Sequence, residues 1–328
     1  MKKLKLLVVI IFAVIIAFLL YFLIINSLVD SYIEDYTDIG RSIALFDFYN
    51  NYEDIEKDIF YIGPSSFKED IDAGLMDGIN DYNNFNLGNP ASTPIRRYVE
   101  INHIIKTNPE IIVLGVGPMS LSGKWLFPDD HYALISDKVE INNNLGFYDE
   151  YPINLNKLQL LLYKRKFFAN SIFKKIESIS GNPLFYGKYN IDFKSENILK
   201  QVKDDVDPEF AEENRNRNNF EEFEIPSIDN NDKIAFELIV KKLKENNIKV
   251  IIVKVPVNPL LFEKIPENYL DNYNNFILKI SEKYNVTSLD YTKTYEESLF
   301  YDGLHLNRFG RESFSRKLAV DVVQNAVQ

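Results

Sequence analysis

Cysteine is absent from this 328-residue chain. That excludes a disulfide framework, a thiolate nucleophile and a cysteine-ligated metal, and a chain of this length can rely on its apolar core instead. Histidine is nearly as scarce, with His103, His131 and His305 the full set of three. Basic charge is also short: 37 Lys and Arg stand against 48 Asp and Glu, a formal net charge of -11. No basic stripe is present of the kind that neutralises a phosphate backbone, so nucleic acid is not an expected partner. No repeat is visible, and the Asn-rich tracts have loop composition.

What the sequence does have is one long apolar run, residues 6–25, which as a helix is long enough to cross a hydrocarbon core about 30 Å thick. Lys2, Lys3 and Lys5 precede it, and Asp30, Glu34 and Asp35 follow it. The positive-inside bias then places the N-terminus in the cytoplasm and the rest of the chain outside, as a single-pass cell-membrane protein. A cleaved signal peptide is the rival reading, but its apolar region is shorter, and residues 25–29 offer no Ala-x-Ala site. An uncleaved anchor over residues 1–27 is therefore expected, followed by a polar stalk over 28–57.

From residue 58 the pattern alternates. Short apolar runs at 58–63, 85–88, 109–116, 249–255 and 286–290 read as buried strands, and helical spacing appears after residue 65 and over 94–107, 233–246 and 269–284. A last helix begins just after His305. Strands alternating with helices predict an α/β fold, a parallel sheet covered by helices on both faces. Between the halves, residues 121–231 are richer in Asn, Tyr, Phe and charge and read as a cap insertion over the sheet's carboxyl edge. The domain proper spans 58–328.

Three features carry candidate chemistry. Gly63-Pro64-Ser65-Ser66 lies between a strand and a helix, which exposes a serine hydroxyl in the crevice and points backbone N–H groups at a developing oxyanion. Taken alone, the same residues are an ordinary turn in which Ser65 or Ser66 caps a helix. A serine nucleophile needs a base. His103 falls inside a helical apolar pattern and His131 in the variable insertion, whereas His305 sits in Tyr301-Asp302-Gly303-Leu304-His305 ahead of the last helix. The spacing from Asp302 to His305 lets a turn bring the carboxylate to one imidazole nitrogen while the other takes the serine proton. In isolation that segment is also an Asp-Gly turn followed by a structural histidine. The acidic runs at 204–207 and 221–224 read as solvated faces rather than metal sites, and Asn285-Val286-Thr287 is a glycosylation sequon of a kind frequent by chance.

A first-strand Gly-x-Ser, with Asp-x-x-His-x-Asn before the last helix, resembles the SGNH (GDSL-type) hydrolase superfamily. The resemblance covers about 58–118 and 247–328. It implies a flavodoxin-like three-layer sandwich with a short parallel sheet and no cofactor. Ser65 becomes the nucleophile and a backbone oxyanion donor, His305 the base, Asp302 its orienting acid. Pro64 replaces the family's aspartate. Asn86-Leu87-Gly88-Asn89-Pro90-Ala91-Ser92 resembles the second block, whose backbone donor falls at Ala91 or Gly88. The third block should supply an asparagine after the 111–114 strand, but Gly115-Val116-Gly117-Pro118-Met119-Ser120 has none. Loss of one such donor can cost about 10²–10³ in rate. With its anchor and insertion the chain is most similar to the envelope branch, which includes the D-alanyl transfer protein and the alginate O-acetylation proteins. That likeness implies an acylated small molecule or glycan as substrate and a membrane-bound O-acyltransferase as partner. The activity it implies is hydrolysis or transfer of an O-acyl group; the alternative is an inactive envelope protein that binds polymer or recruits the acyltransferase.

Overall fold

The computed structural model describes residues 38–52, 57–89, 92–121 and 230–326, together with residues 12, 16, 24 and 164. Five parallel strands form one sheet in the order β2-β1-β3-β4-β5: β1 (Asp58–Ile62), β2 (Asn83–Asn86), β3 (Ile111–Val116), β4 (Lys249–Lys254) and β5 (Thr287–Asp290). The helices are α1 (Asp38–Asn51), α2 (Ser65–Asp70), α3 (Ala73–Asp77), α4 (Pro94–Lys106), α5 (Asn230–Glu245), α6 (Pro259–Phe262), α7 (Glu267–Tyr284) and α8 (Arg308–Ala326). The α/β architecture expected from the sequence is the one observed.

Strand residues alternate between the two faces, so each face has its own core. Phe60, Ile62, Ile112, Leu114, Val250 and Ile252 pack with Phe46 of α1, Val99 of α4, Ile239 of α5 and Ile277 of α7. Ile59, Tyr61, Ile111, Val113, Ile251 and Val253 pack with Phe67 of α2, Met76 of α3 and Leu318 of α8. Near-continuous Ile, Val, Leu and Phe along β1, β3 and β4 follow from burial on both faces. Because β1 pairs with β2 on one side and β3 on the other, the chain reverses its direction of winding at β1. The carboxyl ends of β1 and β3 therefore open a crevice at a switch point, where ligands of open α/β sheets sit.

Two expectations shift. The stalk read over 28–57 contains α1, whose Leu45, Phe46 and Tyr49 are buried in the core. Polar neighbours around those positions hid a helix that belongs to the domain. The second strand lies at Asn83–Asn86 rather than 85–88. Its Asn84 is fully buried, and the side chain bonds Asp77, Asn80, the Tyr82 carbonyl and the Tyr61 hydroxyl. Such a satisfied asparagine is tolerated inside a sheet but reads as loop in sequence.

Among the described residues no helix is long and apolar enough to cross a membrane. The expected anchor over 6–25 lies outside the described residues except for Phe12, Ile16 and Ile24, and the cap insertion lies outside them except at its ends and at Lys164.

Candidate active site

The β1 strand ends at Ile62, and Gly63-Pro64 turns the chain into α2, which begins at Ser65. Phe67 and Lys68 donate their N–H groups to the Pro64 carbonyl at 3.0 and 3.1 Å, closing the first turn. The Ser65 N–H, at the head of that turn, has no acceptor within the helix. The turn is packed tightly from below. A Cβ at Gly115 would stand 2.5 Å from the Phe67 ring, and one at Gly88 would stand 2.4 Å from the Lys68 backbone nitrogen. Glycine at both positions lets β3 and the 87–89 loop come close to the helix that carries Ser65.

Buried polar groups fix the surrounding backbone. Arg97 of α4 donates to the Gly63 and Leu87 carbonyls at 3.0 and 2.9 Å and pairs with Glu100 at 2.5 Å. Arg41 of α1 reaches the Gly88 carbonyl at 2.6 Å and the Asn86 carbonyl at 3.2 Å. Asn86 donates its amide to the carbonyls of Phe67, Lys68 and Ile71, and its side-chain oxygen accepts the Gly88 N–H at 3.0 Å. None of these three residues stood out in the sequence. Each lies among other polar residues in sequence, so nothing local marked it as buried; once buried, such side chains must find partners.

The second half of the site is the segment between the 3₁₀ turn Glu297–Leu299 and α8. Asp302 Oδ1 accepts the N–H groups of Leu304 and His305, both at 2.8 Å, which folds the segment into a turn around the carboxylate. The same carboxylate accepts His305 Nδ1–H, with Oδ2 at 2.8 Å and Oδ1 at 3.0 Å. Asn258, just past β4, donates to the Asp302 carbonyl at 3.2 Å, and the Tyr301 ring stacks on the imidazole at 5.9 Å. Asn307 accepts the N–H groups of Phe309 and Gly310 at 3.1 Å and so caps α8.

The two halves meet at His305 Nε2 and Ser65 Oγ, 2.9 Å apart although 240 residues separate them in the chain. The side chains of His305 and Asp302 are 14% and 15% exposed, so the pair is reachable from solvent yet largely desolvated. Burial works against a charged His305. The Glu69 charge, then the charge and hydrogen bond of Asp302, then Asp70, outweigh it and hold the imidazole up at about 9. Asp302 is opposed by burial too, but the His305 charge and hydrogen bond and the Leu304 and His305 N–H groups bring it down to about 2. It stays ionised throughout the neutral range.

The other expected residues fall as follows. Ser66 is buried at 6% exposure, and the hydroxyl within hydrogen-bond distance of His305 is that of Ser65. His103 packs edge-on against Phe46, and its Nδ1 lies 3.3 Å from Asn50 Oδ1, a structural setting. Gly88 does not serve as the expected donor, because Asn86 Oδ1 takes up its N–H. Ala91 and His131 lie outside the described residues. At the third-block position the Gly117 N–H is bound by Ser120 Oγ at 3.0 Å.

The serine at the first strand's carboxyl end is thus hydrogen-bonded to a histidine that a carboxylate orients, an arrangement in which a serine hydroxyl can act as a nucleophile with a paired base. Residues 200–318 match the model of the DltD protein family, the D-alanyl transfer protein; the matched stretch holds Asp302 and His305 but not Ser65. No curated protein matches the chain. Among solved structures, a GDSL-like lipase from Bacteroides thetaiotaomicron is similar at 9% identity over 87% of this chain and 100% of its own, with TM-score 0.40. The acetyl xylan esterase AlAXEase is similar at 14% identity over 81% of this chain and 98% of its own, with TM-score 0.39.

Proposed function

We propose that the protein transfers or hydrolyses an O-acyl group of a cell-envelope or extracellular glycan through Ser65, His305 and Asp302. The observation that carries this reading is the continuous chain of hydrogen bonds from Ser65 Oγ through His305 to Asp302, at 2.9 and 2.8 Å. In the first step His305 Nε2 takes the Ser65 proton as Oγ bonds to the ester or thioester carbonyl carbon. The tetrahedral intermediate collapses when the C–O or C–S bond to the leaving group breaks and the imidazolium returns its proton to that group. Water or a sugar hydroxyl then gives its proton to His305 as its oxygen bonds to the acyl carbon, and the imidazolium returns that proton to Ser65 Oγ as the bond between Oγ and the acyl carbon breaks. Asp302 keeps Nδ1 protonated and offsets the positive imidazolium. The Ser65 N–H, at the start of α2, is the donor we assign to the oxyanion. The apolar run 6–25 with Lys2, Lys3 and Lys5 before it supports an N-terminal membrane anchor with the domain outside the cytoplasm, and the resemblance to the envelope branch supports a substrate at the envelope and a membrane-bound O-acyltransferase as partner.

One observation favours a second reading, an inactive domain that binds polymer. The Gly88 N–H is already bonded and no asparagine follows β3, so one of the two second-block candidates and the third-block donor have no counterpart among the described residues. The full chain in detergent, assayed on a simple acetyl ester, separates the two. The acyl-transfer reading expects hydrolysis that Ser65→Ala removes; no hydrolysis, with Ser65→Ala supporting envelope acylation in cells as well as the unaltered chain does, favours the binder.

A further inference from the structure

Asp70, five residues beyond Ser65 and at the end of the same helix, is fully buried, and the chemistry above does not use it. Its Oδ1 accepts the N–H of Leu306 at 2.8 Å, a contact across 236 residues to the position next to His305. A second tie runs alongside. Ser315 of α8 accepts the Asp72 N–H at 2.9 Å and stands 3.5 Å from the Asp70 carbonyl. The remaining carboxyl oxygen, Oδ2, is buried and has no hydrogen-bond partner among the described residues. Asp302 organises the His305 segment internally, but it belongs to that segment and cannot set the segment's distance from α2. The Leu306 N–H to Asp70 bond spans the two.

We propose that Asp70 is a positioning residue that sets the distance between Ser65 and His305 by tying the His305 segment to the helix that carries the nucleophile. The inference rests on the reading of Ser65 as nucleophile and His305 as base. The required element is an acceptor at Oδ1, and charge is not part of the function. The charged groups that face Asp70 are Glu69 on its own helix and Asp302 and His305 across the crevice; Tyr295 approaches from the segment after β5. Burial raises the Asp70 carboxyl well above the ordinary range; His305 and the Leu306 N–H oppose this, and Glu69 and Asp302 add to it. A neutral carboxylic acid fits a place where one oxygen accepts a hydrogen bond and the other meets no donor.

The test uses the full chain carrying Asp70→Asn, Asp70→Ala or Asp70→Ser. Asn keeps an acceptor in place; Ala removes it, and Ser retains polarity but is too short to reach Leu306. Kinetics on an acetyl ester, normalised to the fraction of sites that a fluorophosphonate titrates, should leave Asp70→Asn within about threefold of the unaltered chain. Ala and Ser should each lower kcat about 10²-fold with little change in KM, the scale of loss that follows a shift of about 1 Å between reacting groups. A merely structural role would lower the titratable fraction and leave kcat per site unchanged, which overturns the proposal. So does Asp70→Asn as damaging as Ala.

A readout that needs no activity separates this from failure of the acyl-transfer reading. With three histidines in the chain, the His305 titration can be followed by proton NMR. Ser65→Ala should move the His305 midpoint in the unaltered and Asp70→Asn backgrounds but not in Asp70→Ser, where the two side chains have parted. Equal movement in all three backgrounds overturns the positioning role, whether or not the protein proves to be an esterase.

Discussion

The loop that presents Ser65 and the loop that presents His305 are held by opposite means. Around Ser65 the fixed groups are carbonyls, gripped by the side chains of Arg97, Arg41 and Asn86, with Gly88 and Gly115 removing the Cβ atoms that would push the walls apart. Around His305 the fixed groups are N–H donors, gathered by the ionised carboxylate of Asp302 and the buried carboxyl group of Asp70, with the Glu69 charge nearby. Cations and an amide hold the nucleophile's backbone, and carboxyl groups hold that of the base. The difference leaves negative charge concentrated around the imidazole rather than around the serine, which suits a site whose charged intermediate is an imidazolium.

Substitutions break this comparison unequally. The largest effect is expected at the base: His305→Ala removes the proton acceptor and should cost about 10⁵–10⁶ in kcat on an acetyl ester, as much as losing the nucleophile. Asp302→Asn should cost about 10⁴, since it disturbs the tautomer while leaving nucleophile and base in place. Steady-state kinetics on the folded variants read both, and an Asp302→Asn protein as active as the unaltered chain contradicts the assignment.

The acidic surroundings also set a pH profile. A base must be neutral to take a proton, and His305 is held up at about 9, so activity should rise tenfold per pH unit toward that value. At pH 7 kcat/KM should be about one hundredth of its alkaline plateau. Glu69→Gln, by removing the leading charge that raises the imidazole, should move the rising limb to lower pH. A flat profile between pH 7 and 9, or a limb that Glu69→Gln leaves in place, counts against this electrostatic account.

On the nucleophile's side the smaller expected effect is one of packing. Gly88→Ala puts a Cβ 2.4 Å from the Lys68 backbone nitrogen and 2.7 Å from its Cα, atoms that cannot swing aside, and should destabilise the fold by about 1–3 kcal/mol in thermal or denaturant unfolding. Unchanged stability would mean that the close approach of the 87–89 loop to α2 is not what holds Ser65 forward.

The parts legible in the sequence were those written in local pattern. Apolar runs marked β1, β3 and β4, and the three-residue step from Asp302 to His305 marked a turn. What stayed hidden depends on partners far along the chain. Arg97, Asn86, Asn258 and Asp70 act through contacts with distant backbone, and nothing adjacent to them in sequence announces those contacts. Helix α1 was hidden in the same way, because Leu45, Phe46 and Tyr49 become a core stripe only within a cluster built from residues far along the chain, such as Val99 and Ile112. Ser65 itself was ambiguous with a helix cap until its hydroxyl was seen opposite His305.

The central claim is that Ser65 Oγ is a nucleophile activated by His305. It is tested most directly by exposing the full chain to a fluorophosphonate and locating the adduct by peptide mass. The account predicts one adduct, on Ser65, formed faster as pH rises toward 9 and absent from Ser65→Ala. An adduct on Ser66, or none on the unaltered chain under conditions that label a known serine esterase, would contradict it.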